Sequence, residues 1–175
     1  MQDKILLGLL LEQPHTSYSI KKTMEKSVDF FYGTSLGSIN PCLKKLAQQG
    51  FCCTKELQTG KRKSIEYRIT KRGEQAFDSW LASKLKMGRV KDDSLVKLFF
   101  LGHLPKKDIL HTADEYIAEI DQALMALQLL DQHNQIAIKD ITLNNIQKMR
   151  LETLRFGIDY MTFAKQWYQD FKKRI

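Results

Sequence analysis

Residues 35–49 read Ser-Leu-Gly-Ser-Ile-Asn-Pro-Cys-Leu-Lys-Lys-Leu-Ala-Gln-Gln. Leu36, Ile39, Leu43 and Leu46 recur at steps of three and four, so a helical period gathers them into one stripe with Ala47 beside it. The opposite side carries Gly37, Pro41, Lys44, Lys45 and Gln48, with Ser38 and Asn40 on the flanks. That face is small near its start and basic further on. A helix with these two faces can rest on a small core and slide its first turns into the major groove of DNA. The plainer reading, a packed surface helix, has to be judged from what surrounds it.

The start of this helix is open to two readings. Ser38 as N-cap would put Pro41 at the third helical position, inside the first turn where proline is tolerated. Ser35 as N-cap would require a kink or irregular turn near Pro41. The end is clearer, because Gly50 is a good C-terminal stop.

Upstream, residues 3–13 read as a helix that packs Ile5, Leu6, Leu9 and Leu10 inward, with Asp3 favouring its start. Pro14 ends it. Thr16 or Ser17 opens a second helix to about Val28, with Tyr18, Ile20, Met24 and Val28 toward the core and Lys21, Lys22 and Lys26 outside. Residues 29–34, with the Phe30-Phe31-Tyr32 cluster, form a turn before the central helix.

Downstream, Phe51–Leu57 and Ile65–Ile69 are β-prone and joined by the polar, glycine-containing stretch 58–64, which reads as a hairpin. Its tip carries Lys61, Arg62 and Lys63, with Arg68 close behind. A basic tip is an ordinary solvated turn in many proteins. Here it follows three helices, and that order is a winged helix-turn-helix, whose wing can set cations on phosphate or in the minor groove. Thr70 then caps a helix over residues 71–84 with Ala76, Phe77, Trp80 and Leu81 on its apolar face.

Residues 86–91 are a basic connector. Asp92 or Asp93 caps a helix to about His103, so rich in Leu95, Val96, Leu98, Phe99, Phe100 and Leu101 that burial is expected. Two long helical patterns follow. One runs over 107–133 with the stripe Ala113, Ile117, Ile120, Leu124 and Leu127. The other runs over 143–173 with Ile146, Met149, Leu154, Ile158, Met161, Ala164, Tyr168 and Phe171. Alternating steps of four and three suit a coiled-coil-like seam, and apolar stripes of this length call for pairing with each other and with a second copy. Gly157 weakens the last helix or lets a neighbour approach closely.

The fold expected is therefore mainly α with a β-hairpin wing: a winged helix-turn-helix in residues 1–86 and a helical dimerisation domain, with room for an effector, in 87–175. Charge divides the same way. Through Lys91 there are 17 Lys/Arg against 8 Asp/Glu, a balance of +9, and from Asp92 onward 11 against 12, a balance of −1. A basic first half fits nucleic acid. No apolar run is long enough to span a bilayer, and residues 5–11 lack a signal-peptide pattern, so a cytoplasmic protein without membrane association is expected. Cys42, Cys52 and Cys53 are odd in number and two are adjacent, which argues against a disulfide scaffold or a structural zinc site. His15, His103, His111 and His133 come without a nucleophile or ligand set, and no phosphate-binding glycine motif is present. Neither an enzyme nor a cofactor is expected.

Several segments carry a family resemblance: residues 5–10 (Ile-Leu-Leu-Gly-Leu-Leu), 18–20 (Tyr-Ser-Ile), 37–41 (Gly-Ser-Ile-Asn-Pro) with Leu43 and Leu46, Gly50-Phe51, 63–73, and 94–100 (Ser-Leu-Val-Lys-Leu-Phe-Phe). Together they resemble the PadR family of bacterial transcription regulators, in the longer version with a helical C-terminal domain. In the last two helices the similarity is architectural. The chain departs from the family pattern at Ser17, where glycine is frequent, and at Asn40, where tyrosine is frequent. The tyrosine's role does not transfer, whereas an asparagine can hydrogen-bond to a base edge or a phosphate.

The resemblance implies a dimeric regulator, usually a repressor, acting on double-stranded DNA at promoter inverted repeats. Some family members respond to phenolic acids or hydrophobic drug-like compounds. Ser38, Asn40, Lys44 and Lys45 are the candidate contacts from the central helix, Asn40 first for base reading. Tyr18 and Lys22 are candidates for the flanking backbone, and Lys61, Arg62 and Lys63 for the wing. For a small aromatic effector the available aromatics are Trp80, Phe99, Phe100, Tyr160 and Trp167, each of which also has an ordinary reading as core. The competing reading is a winged-helix adaptor that holds protein partners without specific DNA binding.

Overall fold

The structure is a computed structural model that describes residues 1–27, 31–33, 35–59, 62–86, 92–139 and 141–175, with Thr59 and Arg62 described as strand residues only. The chain divides into two compact units, Met1–Gly88 and Arg89–Ile175.

In the first unit the order is α1 (Gln2–Glu12), β1 (His15–Thr16), α2 (Ser17–Ser27), α3 (Leu36–Gln48), β2 (Cys52–Thr59), β3 (Arg62–Ile69) and α4 (Lys71–Leu81). This is the winged helix-turn-helix, with a three-stranded antiparallel sheet in the order β1-β3-β2. Leu6, Leu7, Ile20, Met24, Ile39, Leu43 and Leu46 from three helices close the core with Cys52 and Tyr67 from the sheet. Six of these side chains are buried to 1% exposure or less. At about 25 cal/mol per Å² of apolar area removed from water, this cluster is the main source of the unit's stability.

Ser35 caps α3 and Pro41 lies inside the helix, which decides between the two readings of its start. The Ser38 hydroxyl donates to the Ser35 carbonyl at 2.9 Å, and the Ser38 and Ile39 amides donate to the same carbonyl at 3.0 and 3.1 Å. Pro41 removes the amide that would meet the Gly37 carbonyl. Gly37 is exposed, so that carbonyl stays open to water. At the far end Gly50 takes φ +72°. Its amide donates to Ala47 and that of Phe51 to Leu46, which is a Schellman stop.

Thr70 fastens the next layer to this stop. Its hydroxyl donates to the Gly50 carbonyl at 2.7 Å and accepts from the Gly73 amide at 3.2 Å, capping α4. Gly73 sits so close to the Phe51 carbonyl that a Cβ there would lie 2.0 Å from the oxygen, so α4 can dock only with glycine at that position.

Several expectations for this unit are corrected. Residues 58–64 were expected as a loop, but Gln58 and Thr59 pair with Lys63 and Arg62, and the strands run to the tip. Main-chain pairing does not require apolar side chains, so the polar run extends the ladder as far as Thr59 and Arg62. The two-residue strand β1, paired with Tyr67 and Glu66, is too short to leave a periodic signal. Tyr18 is exposed and faces away from the core. Helix α4 stops at Leu81, which is exposed, instead of reaching Lys84. Val28, Asp29, Phe30 and Thr34 of the expected helix end and turn lie outside the described residues, as does most of the 86–91 connector.

The second unit holds α5 (Asp93–Phe100), a 3-10 turn (Leu101–His103), α6 (Lys106–Ile138) and α7 (Asn145–Arg174). Asp92 caps α5 by accepting from the Ser94 amide at 2.8 Å. Asn144 and Gln147 form a reciprocal capping box at the start of α7. The long helices run antiparallel, because Asp114 pairs with Lys172 and Asp121 with Lys165. Between them Ala113, Ile120 and Tyr168 are buried against Leu98, Tyr116, Ile117, Met161 and Phe171. Gly157 is buried on the same α7 face as Leu154 and Tyr168.

Two expectations fail here. Helix α5 has no buried residue, and Phe99 is 82% exposed. Its apolar side chains outnumber the positions that one helix can turn toward α6 and α7. Ile146 and Met149 are exposed, because the five-residue step from Met149 to Leu154 leaves the buried stripe. Among the described residues no helix is long and apolar enough to cross a membrane.

Candidate nucleic-acid interface

Helix α3 is fixed from one side only. Ile39, Leu43 and Leu46 anchor it in the core, and Gln2 of α1 donates to the Ser38 hydroxyl at 3.0 Å. The other side, with Gly37, Asn40, Pro41, Lys44, Lys45 and Gln48, is exposed. Small residues at the start allow close approach, and an amide and two ammonium groups lie further along. This is a geometry for base-edge and phosphate contact. Ser38 differs from its neighbours. It is half-buried, and its hydroxyl is engaged by Gln2 and Ser35, so it organises the helix start. Gln48 extends the exposed face by one turn; its spacing in the sequence already carried that signal.

Helix α2 begins with Thr16 and Ser19 capping each other: Thr16 N–H to Ser19 Oγ at 2.9 Å and Ser19 N–H to Thr16 Oγ1 at 3.2 Å. Its exposed face carries Tyr18 with the Lys22 ammonium 4.9 Å from the ring centre. This cation–π pair presents one positive, flat surface beside the helix-turn-helix. Lys21 is drawn off by Glu25 at 3.3 Å.

On the wing, Lys63 is exposed in β3 opposite Gln58. Lys61 and the Arg62 side chain lie outside the described residues. Arg68 is held by Glu66 at 2.8 Å, which offsets its charge. The structure therefore describes Tyr18, Lys22, Asn40, Lys44, Lys45 and Lys63 as exposed.

The aromatics read as effector contacts are dispersed. Trp80 lies on α4 against Phe77, with ring centres 5.6 Å apart. Phe99 and Phe100 meet edge to face on the exposed side of α5. Tyr160 stacks with Phe156 on an exposed face of α7, and burial raises its hydroxyl pKa, with Asp92 adding to the effect. Trp167 stacks on Phe171 beneath the Arg174 guanidinium. None of the five lines the cavity found in the second unit, about 290 Å³ in volume. That cavity has a floor of Leu98, Leu101, Ala113, Tyr116 and Tyr168, and charged Asp93, Lys97, Glu115 and Glu119 at its edge. Its residues carried no separate sequence signal, because they are spaced as ordinary helix positions. Among the described residues no group of acidic, histidine and cysteine side chains could hold a metal ion.

Comparison with known proteins agrees with this architecture along the chain. Residues 6–79 match the transcriptional regulator PadR-like family, and residues 90–175 match the family described as virulence activator alpha C-term. The negative transcriptional regulator PadR of Bacillus subtilis is 28% identical over 105 residues. That match covers 59% of this chain and 58% of the relative's length. The crystal structure of Bacillus subtilis PadR in complex with operator DNA superposes with a TM-score of 0.84 at 19% identity, covering 99% of this chain and 98% of that one. The structure of the same regulator in complex with p-coumaric acid gives 0.78 at 19% identity, covering 98% and 96%. With one matching segment spanning the winged unit and the other the helical unit, the chain belongs to the PadR-like family of transcriptional regulators, in its long form with a C-terminal helical domain.

Proposed function

We propose that this regulator binds double-stranded DNA as a homodimer, acts as a repressor at promoter inverted repeats, and is controlled by a small aromatic effector. The observation that carries the reading is the two-sided α3. Its apolar side is locked in a closed core, and its exposed side carries Asn40, Lys44 and Lys45 beyond a narrow, small-residue start. Residues 1–86 act as the DNA-binding domain and 87–175 as the dimerisation and effector domain.

Asn40 reads a base edge, Lys44 and Lys45 take phosphate or a guanine edge, and Tyr18 with Lys22 rests on the flanking backbone. Lys61, Arg62 and Lys63 of the wing contribute affinity and register. Ser38 supports this set by holding the start of α3. The operator complex and the p-coumaric acid complex of the Bacillus subtilis relative support the two classes of partner. Its description as a negative regulator supports repression. The exposed stripe Met149, Phe156, Tyr160 and Phe163 on α7 supports a second copy as the partner that covers it.

Genomic DNA capture by the purified protein, followed by salt-dependent affinity on enriched and scrambled duplexes, tests the reading. A shared inverted repeat with half-sites one helical turn or a multiple apart, bound at least about a hundred-fold more tightly than scrambled DNA, is the expected result. Replacing Arg62 and Lys63 by alanine should weaken all duplexes and lower the salt slope by up to about two units. Binding without sequence preference, or no binding in moderate salt, would overturn the operator reading and favour the adaptor.

A further inference from the structure

The cavity in the helical unit has a composition that selects its occupant by charge. Its floor is apolar and aromatic: Leu98 and Leu101 from one side, Ala113, Tyr116 and Tyr168 from the long helices. The Tyr116 and Tyr168 rings meet edge to face with centres 4.8 Å apart, and the Tyr168 hydroxyl bonds with Ser94. A flat ring can lie on such a floor. The edge is different. Asp93, Glu115 and Glu119 bring three carboxylates and Lys97 one ammonium, so the mouth has a formal charge of −2 if His111, 3.4 Å from Glu115, is neutral. Glu115 and Glu119 stand one turn apart on α6, exposed, on the same side of the opening.

An aromatic carboxylate entering here would find one cation and three like charges. An aromatic amine would find the reverse, and its ring would still have the same floor. We infer that the cavity takes a small organic cation with an aromatic or apolar body, held by its positive group between Glu115, Glu119 and Asp93. This assigns the chemical class of the effector and in that respect rests on the proposed regulation. It also sets this chain apart from a relative whose bound compound is an acid. A volume of about 290 Å³ limits the occupant to roughly one ring with a short arm.

Tyramine and p-coumaric acid form the probe pair, because both carry a phenol and differ in the sign of the group at the end of the arm. Their affinities for the DNA-free full-length protein are measured by calorimetry at neutral pH, so the outcome does not depend on whether an operator is bound. Tyramine should bind at least about ten-fold more tightly than p-coumarate, in keeping with the local field. Glu115→Gln with Glu119→Gln should weaken tyramine about ten-fold and leave p-coumarate unchanged or stronger. Lys97→Gln should strengthen tyramine. Both changes are at exposed positions, and a circular dichroism melt checks that the fold is kept. Equal or tighter binding of p-coumarate, no tyramine binding up to millimolar concentration, or no effect of the paired Glu→Gln change would each overturn the inference. Operator affinity measured on the same samples reports separately on the regulatory reading, and its loss alone would leave the ligand assignment standing.

Discussion

The two units solve the same problem of burial with different completeness. In the winged unit Leu6, Ile20, Met24, Ile39 and Leu43 reach zero exposure within one chain. In the helical unit a thin seam is buried, while Phe99, Phe156 and Phe163 stay largely in solvent. One unit is a finished core that presents a charged face to a charged partner. The other is a half-finished surface whose apolar stripe asks for a second copy. A reading element has to be rigid before it meets DNA, whereas a dimerising element gains its stability from the meeting itself.

The largest effect should come from damaging the finished core. Leu43→Ala removes a fully buried side chain from under the exposed face of α3, and truncations of this kind cost about 2–5 kcal/mol. Urea unfolding should show that loss, with operator binding lost at temperatures where the native protein still binds. A change below about 1 kcal/mol would mean that the core under α3 can collapse around the gap, and the contrast between the units would weaken.

A smaller effect, and the sharper test of the other half, comes from Phe156→Asp with Phe163→Asp. Both side chains are exposed in one chain, so the winged unit should keep its stability. Sedimentation velocity should show a shift to monomer, and operator affinity should fall at least about a hundred-fold as the two half-sites are no longer engaged together. A dimer that survives the change would put the second copy on another face.

How far each unit was legible follows from the same contrast. The winged unit was readable because burial on a closed core stamps a period on the sequence: Ile39, Leu43 and Leu46 give α3, and Gly50 its end. What escaped was set by backbone geometry. Ser35 and Ser38 are both good caps by residue type, and the choice fell to the carbonyl that Ser38 reaches back to. Strand β1 has two residues and exists only because Tyr67 and Glu66 lie opposite it. The wing strands run through polar residues because main-chain pairing is indifferent to them. Tyr18 followed the apolar stripe on paper and turned outward in space, where its ring serves Lys22. In the helical unit α6 and α7 were legible as long periodic helices and α5 as a helix opened by Asp92, but the exposure of α5 was not, since the sequence does not say which partner its apolar side meets. For the candidate surface, the outward face of α3 was readable. The engagement of Ser38 with Gln2 was not, as the two are 36 residues apart. The cavity edge, assembled from α5 and α6, was not readable either.

The smallest effect expected is a pH dependence confined to the winged unit. His15 is its one histidine, buried on β1 with Nδ1 3.0 Å from the Ser19 hydroxyl. Burial lowers its pKa below the ordinary 6.5, and nearby Glu12 opposes the shift only in part. The unfolded chain therefore takes up a proton at higher pH than the folded one, and stability rises with pH across that window. Going downward, stability contributed by neutral His15 is complete above pH 6.5, declines as pH falls below it, and levels off once the folded-state pKa is passed. His15→Gln removes this component, so urea midpoints of variant and native protein should converge between pH 7.5 and 5. His103, His111 and His133 are exposed, so the variant isolates the buried group. Parallel curves would mean that the proton finds a partner inside the fold. The Thr16–Ser19 cap would then tolerate a charge beside it, and the winged core would be less closed than its exposures indicate.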